Sequence, residues 1–142
     1  MTRGEKANQY HNSGFNCAQG VFTACCDLTG LDEKTALSIA ASFGGGMRCG
    51  SVCGAVTGAL MVLGMLHPYV DSSDAEARDK IAALTVEFEK TFAEKCGNLN
   101  CIDLLGMPVA EAKAQGVNAK ICPVLINTAC EMTEELVKRE GK

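Results

Sequence analysis

The segment from Ser51 or Val52 to Leu66 is apolar on every side and is closed by His67-Pro68, and it limits the possible folds more than any other stretch. A helix of that composition has no face for solvent, which predicts a buried central helix covered by its neighbours. It follows Gly44-Gly45-Gly46, a run that no helix tolerates well, so the helix is entered from a glycine-rich loop. From Ala36 to Val70 the only formal charge is Arg48, which raises the question of a membrane span. Val52–Leu66 falls short of the ~20 residues a bilayer requires. Seven of the 15 glycines also lie between Gly44 and Gly64, so no span is expected. Gly50, Gly54 and Gly58 repeat at four-residue intervals, a pattern that lets a second element approach closely. In a soluble protein it marks the seam of a bundle or a dimer.

The flanking sequence has helical periodicity almost throughout. Thr2 to Asn12 ends at the breaker Ser13-Gly14. Asn16 is placed to cap a helix that runs to Gly30, and Asp32-Glu33 open another that reaches Phe43. Ser72 to Glu76 start the longest amphipathic element, which ends at Gly97. Asn98 to Gly106 is a connector with room for one turn, Pro108 starts a short helix to Gln115-Gly116, and a final helix runs from about Asn118 to Arg139. No segment alternates with period two, and no repeat or linker divides the chain. The expected fold is all-α: one domain over residues 1–142, a compact bundle of about five to seven helices. An all-apolar helix in so small a domain needs extra cover, which predicts a homodimer.

With 142 residues and a net charge of −4, and with no basic run long enough to follow phosphates, nucleic acid is not an expected partner. The polar N-terminus lacks the apolar stretch of a signal peptide, which predicts a cytoplasmic location. Nine cysteines in such a chain then stand out. An odd number leaves at least one thiol unpaired, and a reducing compartment keeps structural bridges open, so reactive thiols or metal ligands are the expected use.

Cys49 and Cys53 flank the start of the central helix. A thiol in a helix's first turn faces unpaired amides and the positive end of the dipole, and Arg48 adds charge, which favours thiolate. The i, i+4 spacing suits one shared metal better than a relaxed disulfide. Cys17, next to Asn16, is another first-turn thiol, and Cys101 and Cys122 fall near expected helix starts, with Pro123 supporting the latter. Cys25 and Cys26 read as a core residue and its neighbour, Cys130 as buried mid-helix, and Cys96 as a helix-end residue at the wrong end of the dipole. No Cys-x-x-Cys occurs, nor any arrangement for a Ser/His/Asp triad, so hydrolysis is not expected.

Gly44-Gly45-Gly46-Met47 and Val52-Cys53-Gly54-Ala55-Val56-Thr57-Gly58-Ala59 combine with Asn16-Cys17-Ala18-Gln19, Cys101-Ile102-Asp103-Leu104-Leu105-Gly106 and Lys120-Ile121-Cys122-Pro123. Together they resemble the C-GCAxxG-C-C family of redox-active proteins over nearly the whole chain. The core reads Cys53-Gly54-Ala55 here rather than in the family name's letter order. The resemblance implies that Cys17, Cys53, Cys101 and Cys122 are the functional set, with Cys49 beside it. A related domain in split-Soret cytochromes carries an iron–sulfur centre. The leading expectation is a redox protein whose thiolates exchange disulfides or transfer electrons with a redox partner protein or a small thiol or disulfide. The alternative is a module holding an iron–sulfur cluster or zinc on the same four cysteines, and the second alternative is a structural or partner-binding domain. Cys53 is expected to be the leading thiolate, with Gly54 and Gly58 admitting an element that carries Cys17 or Cys101.

Overall fold

The computed structural model describes residues 1–141. Among them the chain forms nine α-helices: α1 Arg3–Asn12, α2 Cys17–Thr23, α3 Cys26–Thr29, α4 Glu33–Ala40, α5 Gly54–Leu66, α6 Ala75–Cys96, α7 Cys101–Leu105, α8 Val109–Gln115 and α9 Asn118–Arg139. The fold is all-α, as predicted, and the helices outnumber the expected five to seven because some are short. The helix predicted up to Gly30 breaks at Ala24-Cys25 into α2 and the four-residue α3, and the connector's turn is the five-residue α7. Side chains of Thr2, Asn16, Asp32 and Asp74 each accept the amide three residues on and so start α1, α2, α4 and α6. Gly30, Gly97, Gly106 and Gly116 end α3, α6, α7 and α8 in the left-handed conformation.

The main core lies where Ala55, Val56, Ala59 and Leu63 of α5 meet Leu84, Phe88 and Phe92 of α6 and Leu125, Ile126 and Ala129 of α9. Each large side chain so buried contributes ~1.5–3 kcal/mol. A second cluster joins Ala18 and Phe22 of α2 to Ala36 and Ala40 of α4 and Val62 of α5. A third, around Cys101, Leu105 and Ala112, fastens α7 and α8 to Ile121 and Cys122 of α9. The burial of α5 is one-sided, which corrects the expectation of cover all round. Its α2, α6 and α9 face is closed, while Thr57, Leu60, Met61 and Gly64 are partly exposed and Met65 is 41% exposed. Among the described residues no helix is long and apolar enough to cross a membrane.

The link from α4 to α5 positions the cysteines. Gly45, Gly46, Met47 and Arg48 have φ of 61°, 60°, 60° and 66°, four consecutive left-handed residues. The turn closes with Ser51 N–H donating to Gly46 O at 2.9 Å. Val52 then forms an antiparallel bridge with Asn100. Beside it, Cys53 N–H donates to Leu99 O at 2.8 Å and Cys101 N–H donates to Ser51 O at 2.6 Å. Helix α5 therefore starts at Gly54 with Cys53 as its N-cap, later than the predicted Ser51 or Val52. Cys49 belongs to the left-handed turn and not to the first turn of α5, so the helical i, i+4 relation expected between Cys49 and Cys53 does not exist.

Candidate functional site

Cys17, Cys53, Cys101 and Cys122, separated along the chain, line one hollow together with Leu104, Leu105 and Leu125. Its volume is ≈ 10 Å³, about the space of one water molecule. Cys17 and Cys101 are the first residues of α2 and α7, and Cys53 caps α5. Helix α9 begins at Asn118, as expected, which puts Cys122 in its second turn, past the start that Pro123 suggested, with Pro123 inside the helix. Cys17, Cys53 and Cys101 are buried, and Cys122 is partly exposed. Cys49, the fifth candidate, is exposed on the left-handed turn, with its Sγ 3.4 Å from Gly46 O, and does not line the hollow. Cys25 and Cys130 are buried core residues, as expected, and Cys26 and Cys96 are partly buried away from the hollow. All nine are thiols, with no bridge formed.

Small residues and one cap bring Cys17 to Cys53. Asn16 Oδ1 accepts from Gln19 N–H at 2.8 Å, Gln19 Oε1 accepts from Asn16 N–H at 3.0 Å, and Asn16 Nδ2 donates to Ala41 O at 3.0 Å. The same asparagine thus starts α2 and ties it to the end of α4. A Cβ added to Gly44 would lie 2.3 Å from the Cβ of Asn16, so only glycine lets the loop pass there. A Cβ on Gly54 would lie 2.5 Å from Cys17 Sγ and 3.0 Å from Ala18 N. On Gly58 it would lie 2.9 Å from Ala18 O. The expectation that these two glycines admit the element carrying Cys17 is met. Cys101 comes close to the loop instead: a Cβ on Gly46 would lie 2.9 Å from its Cβ.

Cys17 and Cys53 are shifted in opposite directions. Cys17 is lowered to about 7, first because the Cys53 thiol donates to its sulfur, and then because the amides of Gly45, Ala18 and Cys17 itself favour the anion against the cost of burial. Cys53 is raised well above the usual thiol value by the same pairing, by burial and by the charge on Cys17, with the Ala55 amide opposing. The backbone amides that favour an anion are gathered mainly on Cys17, the lower of the pair. Cys53 is the expected leading thiolate, whereas of the two paired thiols Cys17 is the one held lower here. Arg48 is exposed on the left-handed turn and is not among the main influences on Cys53. Burial followed by the Cys17 charge raises Cys101 to about 11 and Cys122 to about 12.

Such a set can share one proton between two sulfurs and can form a bond between them. Among the described residues no group of three or more His, Cys, Asp or Glu side chains is arranged to hold a metal ion. The hollow that the four thiols share with three leucines is about the space of one water, smaller than an iron–sulfur cluster. The sequence reading missed the Gly45 amide and the wall of Leu104, Leu105 and Leu125. The triple glycine was the available signal for the first, read there only as a loop. The leucines carried none beyond their nearness in sequence to Cys101 and Cys122.

A family model described as "Putative redox-active protein (C_GCAxxG_C_C)" matches residues 15–136, from before Cys17 to beyond Cys122. The chain belongs to that family. Comparisons with curated proteins and with solved structures found no match.

Proposed function

We propose that this member of the redox-active family works through a two-electron couple in which Cys17 and Cys53 cycle between dithiol and disulfide, with Cys17 as the attacking thiolate. The observation that carries the reading is that the two buried sulfurs line one hollow, with Gly54 admitting Cys17 against the start of α5 and the backbone amides gathered on the Cys17 side. A thiolate is the attacking species in such chemistry, and one that ionises near ambient pH combines abundance with nucleophilicity. Cys17 attacks an electrophilic sulfur or oxygen of an oxidant, and the leaving half departs with the bonding electrons. The thiolate of Cys53 then attacks the Cys17 sulfur, expels the remaining half and closes the disulfide. Cys101 and Cys122 stay protonated and complete the wall.

Equilibration in dithiothreitol of graded oxidation state, acid quenching and peptide mapping tests this reading without dependence on rates of access. The expected result is a reversible Cys17–Cys53 link that persists in Cys101→Ser and Cys122→Ser. A bridge that forms elsewhere, or none at any ratio, would overturn it.

A further inference from the structure

The walls of the hollow restrict what can oxidise the pair. Apart from four sulfurs its lining is Leu104, Leu105 and Leu125, so no oxygen- or nitrogen-bearing side chain lines it. Cys17 and Cys53 are 8% and 4% exposed, and Cys101, Leu105 and Leu125 are similarly covered at 7%, 5% and 6%. The partly exposed lining residues are Leu104 and Cys122, so the mouth lies between them. A disulfide carries a substituent on each sulfur that must be placed against this covered, apolar lining, whereas a small molecule carries none. A charged oxidant would also lose its hydration against leucines without a compensating partner.

From this geometry we infer that the oxidant of the Cys17–Cys53 couple is a small neutral peroxide, hydrogen peroxide in the simplest case, and not a protein or peptide disulfide. The inference rests on the couple proposed above and adds its substrate class. The Cys17 thiolate attacks one oxygen and the O–O bond breaks, giving Cys17 sulfenic acid and hydroxide. Hydroxide takes the proton of Cys53 and becomes water. The Cys53 thiolate then attacks the Cys17 sulfur and expels the second oxygen as hydroxide. One peroxide is reduced by two electrons, and two sulfurs are oxidised by one each. The amides of Gly45 and Ala18, which face the Cys17 sulfur, hold it for the attack.

The test compares hydrogen peroxide with oxidised glutathione on the reduced full chain, following the Cys17–Cys53 link by quenched peptide mapping. Each rate constant is divided by that of the same reagent with the chain unfolded in urea, which removes the reagents' own reactivities. The folded-to-unfolded ratio is expected to be at least ~100-fold higher for peroxide, because glutathione must wait for a local opening. A smaller difference overturns the inference and leaves the couple standing. Failure of both reagents to form the link overturns the couple as well. In Cys53→Ser, peroxide is expected to add one oxygen atom at Cys17, and its absence there contradicts the sulfenic step. Leu104→Ala widens the mouth and is expected to raise the glutathione ratio toward that of peroxide, whereas an unchanged ratio contradicts a size limit set there.

Discussion

At Gly54 an added methyl group would lie 2.5 Å from Cys17 Sγ, whereas at Gly64 on the same helix it would meet nothing within 4 Å. The two glycines therefore have opposite expected outcomes. Gly54→Ala forces α2 from α5 and is expected to cost ~1–3 kcal/mol, the usual range for overpacking, with loss of the low Cys17 ionisation. Gly64→Ala removes a flexible residue from a helix interior and is expected to stabilise by about 0.5–1 kcal/mol. Urea unfolding with a thiolate titration on each variant checks both. The need for glycine at position 54 was legible in the sequence, because the four-residue repeat of small residues anticipates close approach. The proposed choice of Cys17 over Cys53 was not. It depends on which sulfur receives the amides, and the Gly45 amide comes from a loop 28 positions along the chain.

Among the elements, the left-handed turn at Gly45 to Arg48 is the one that periodicity could not anticipate. Gly45 and Gly46 adopt positive φ without penalty, but Met47 and Arg48 follow them, at roughly 1–2 kcal/mol for each non-glycine residue. Arg48→Gly is expected to raise stability by up to ~1 kcal/mol, the left-handed penalty less the chain entropy that glycine adds, as read from the urea midpoint. An unchanged or lowered midpoint would show that the turn holds no such strain. Helix starts were legible wherever a side chain caps them, as at Asn16, Asp32 and Asp74. They were misplaced where the backbone alone sets them. Helix α5 is delayed to Gly54 by the Val52–Asn100 bridge, a contact between distant segments. Pro123 was read as a helix-start residue near Cys122, yet it lies within α9, where it lacks an N–H for the carbonyl four residues back. Asn8 Nδ2 donates to Pro123 O at 3.2 Å and ties α1 to that turn.

For the whole molecule, the displaced thiol ionisations make stability depend on pH in two opposed ranges. Cys17 is lowered from 9.0 to about 7 in the folded chain, so the unfolded chain binds more protons between those values and stability rises with pH from about 7 to 9. Burial raises Cys25, Cys122 and Cys130 from 9.0 to about 12, so above pH 9 the unfolded thiols ionise first and stability falls. A maximum of the thermal midpoint near pH 9 is therefore expected under reducing conditions, and in Cys17→Ser the rising limb below it should be lost. The all-α architecture and the gathering of four cysteines separated by 36, 48 and 21 positions follow from helix packing that amphipathic patterns anticipate. The leucine wall that narrows the hollow does not, since Leu104 and Leu105 read in sequence as ordinary turn residues. The most direct measurement of the central claim is an ultraviolet thiolate titration of the reduced chain beside Cys17→Ser and Cys53→Ser, which requires no reagent to enter the hollow. The expected result is one ionisation near pH 7 in the parent, absent in Cys17→Ser and moved upward in Cys53→Ser, where the donating thiol is gone. An ionisation near 7 that persists in Cys17→Ser, or no thiolate below the ordinary thiol range in the parent, would contradict it.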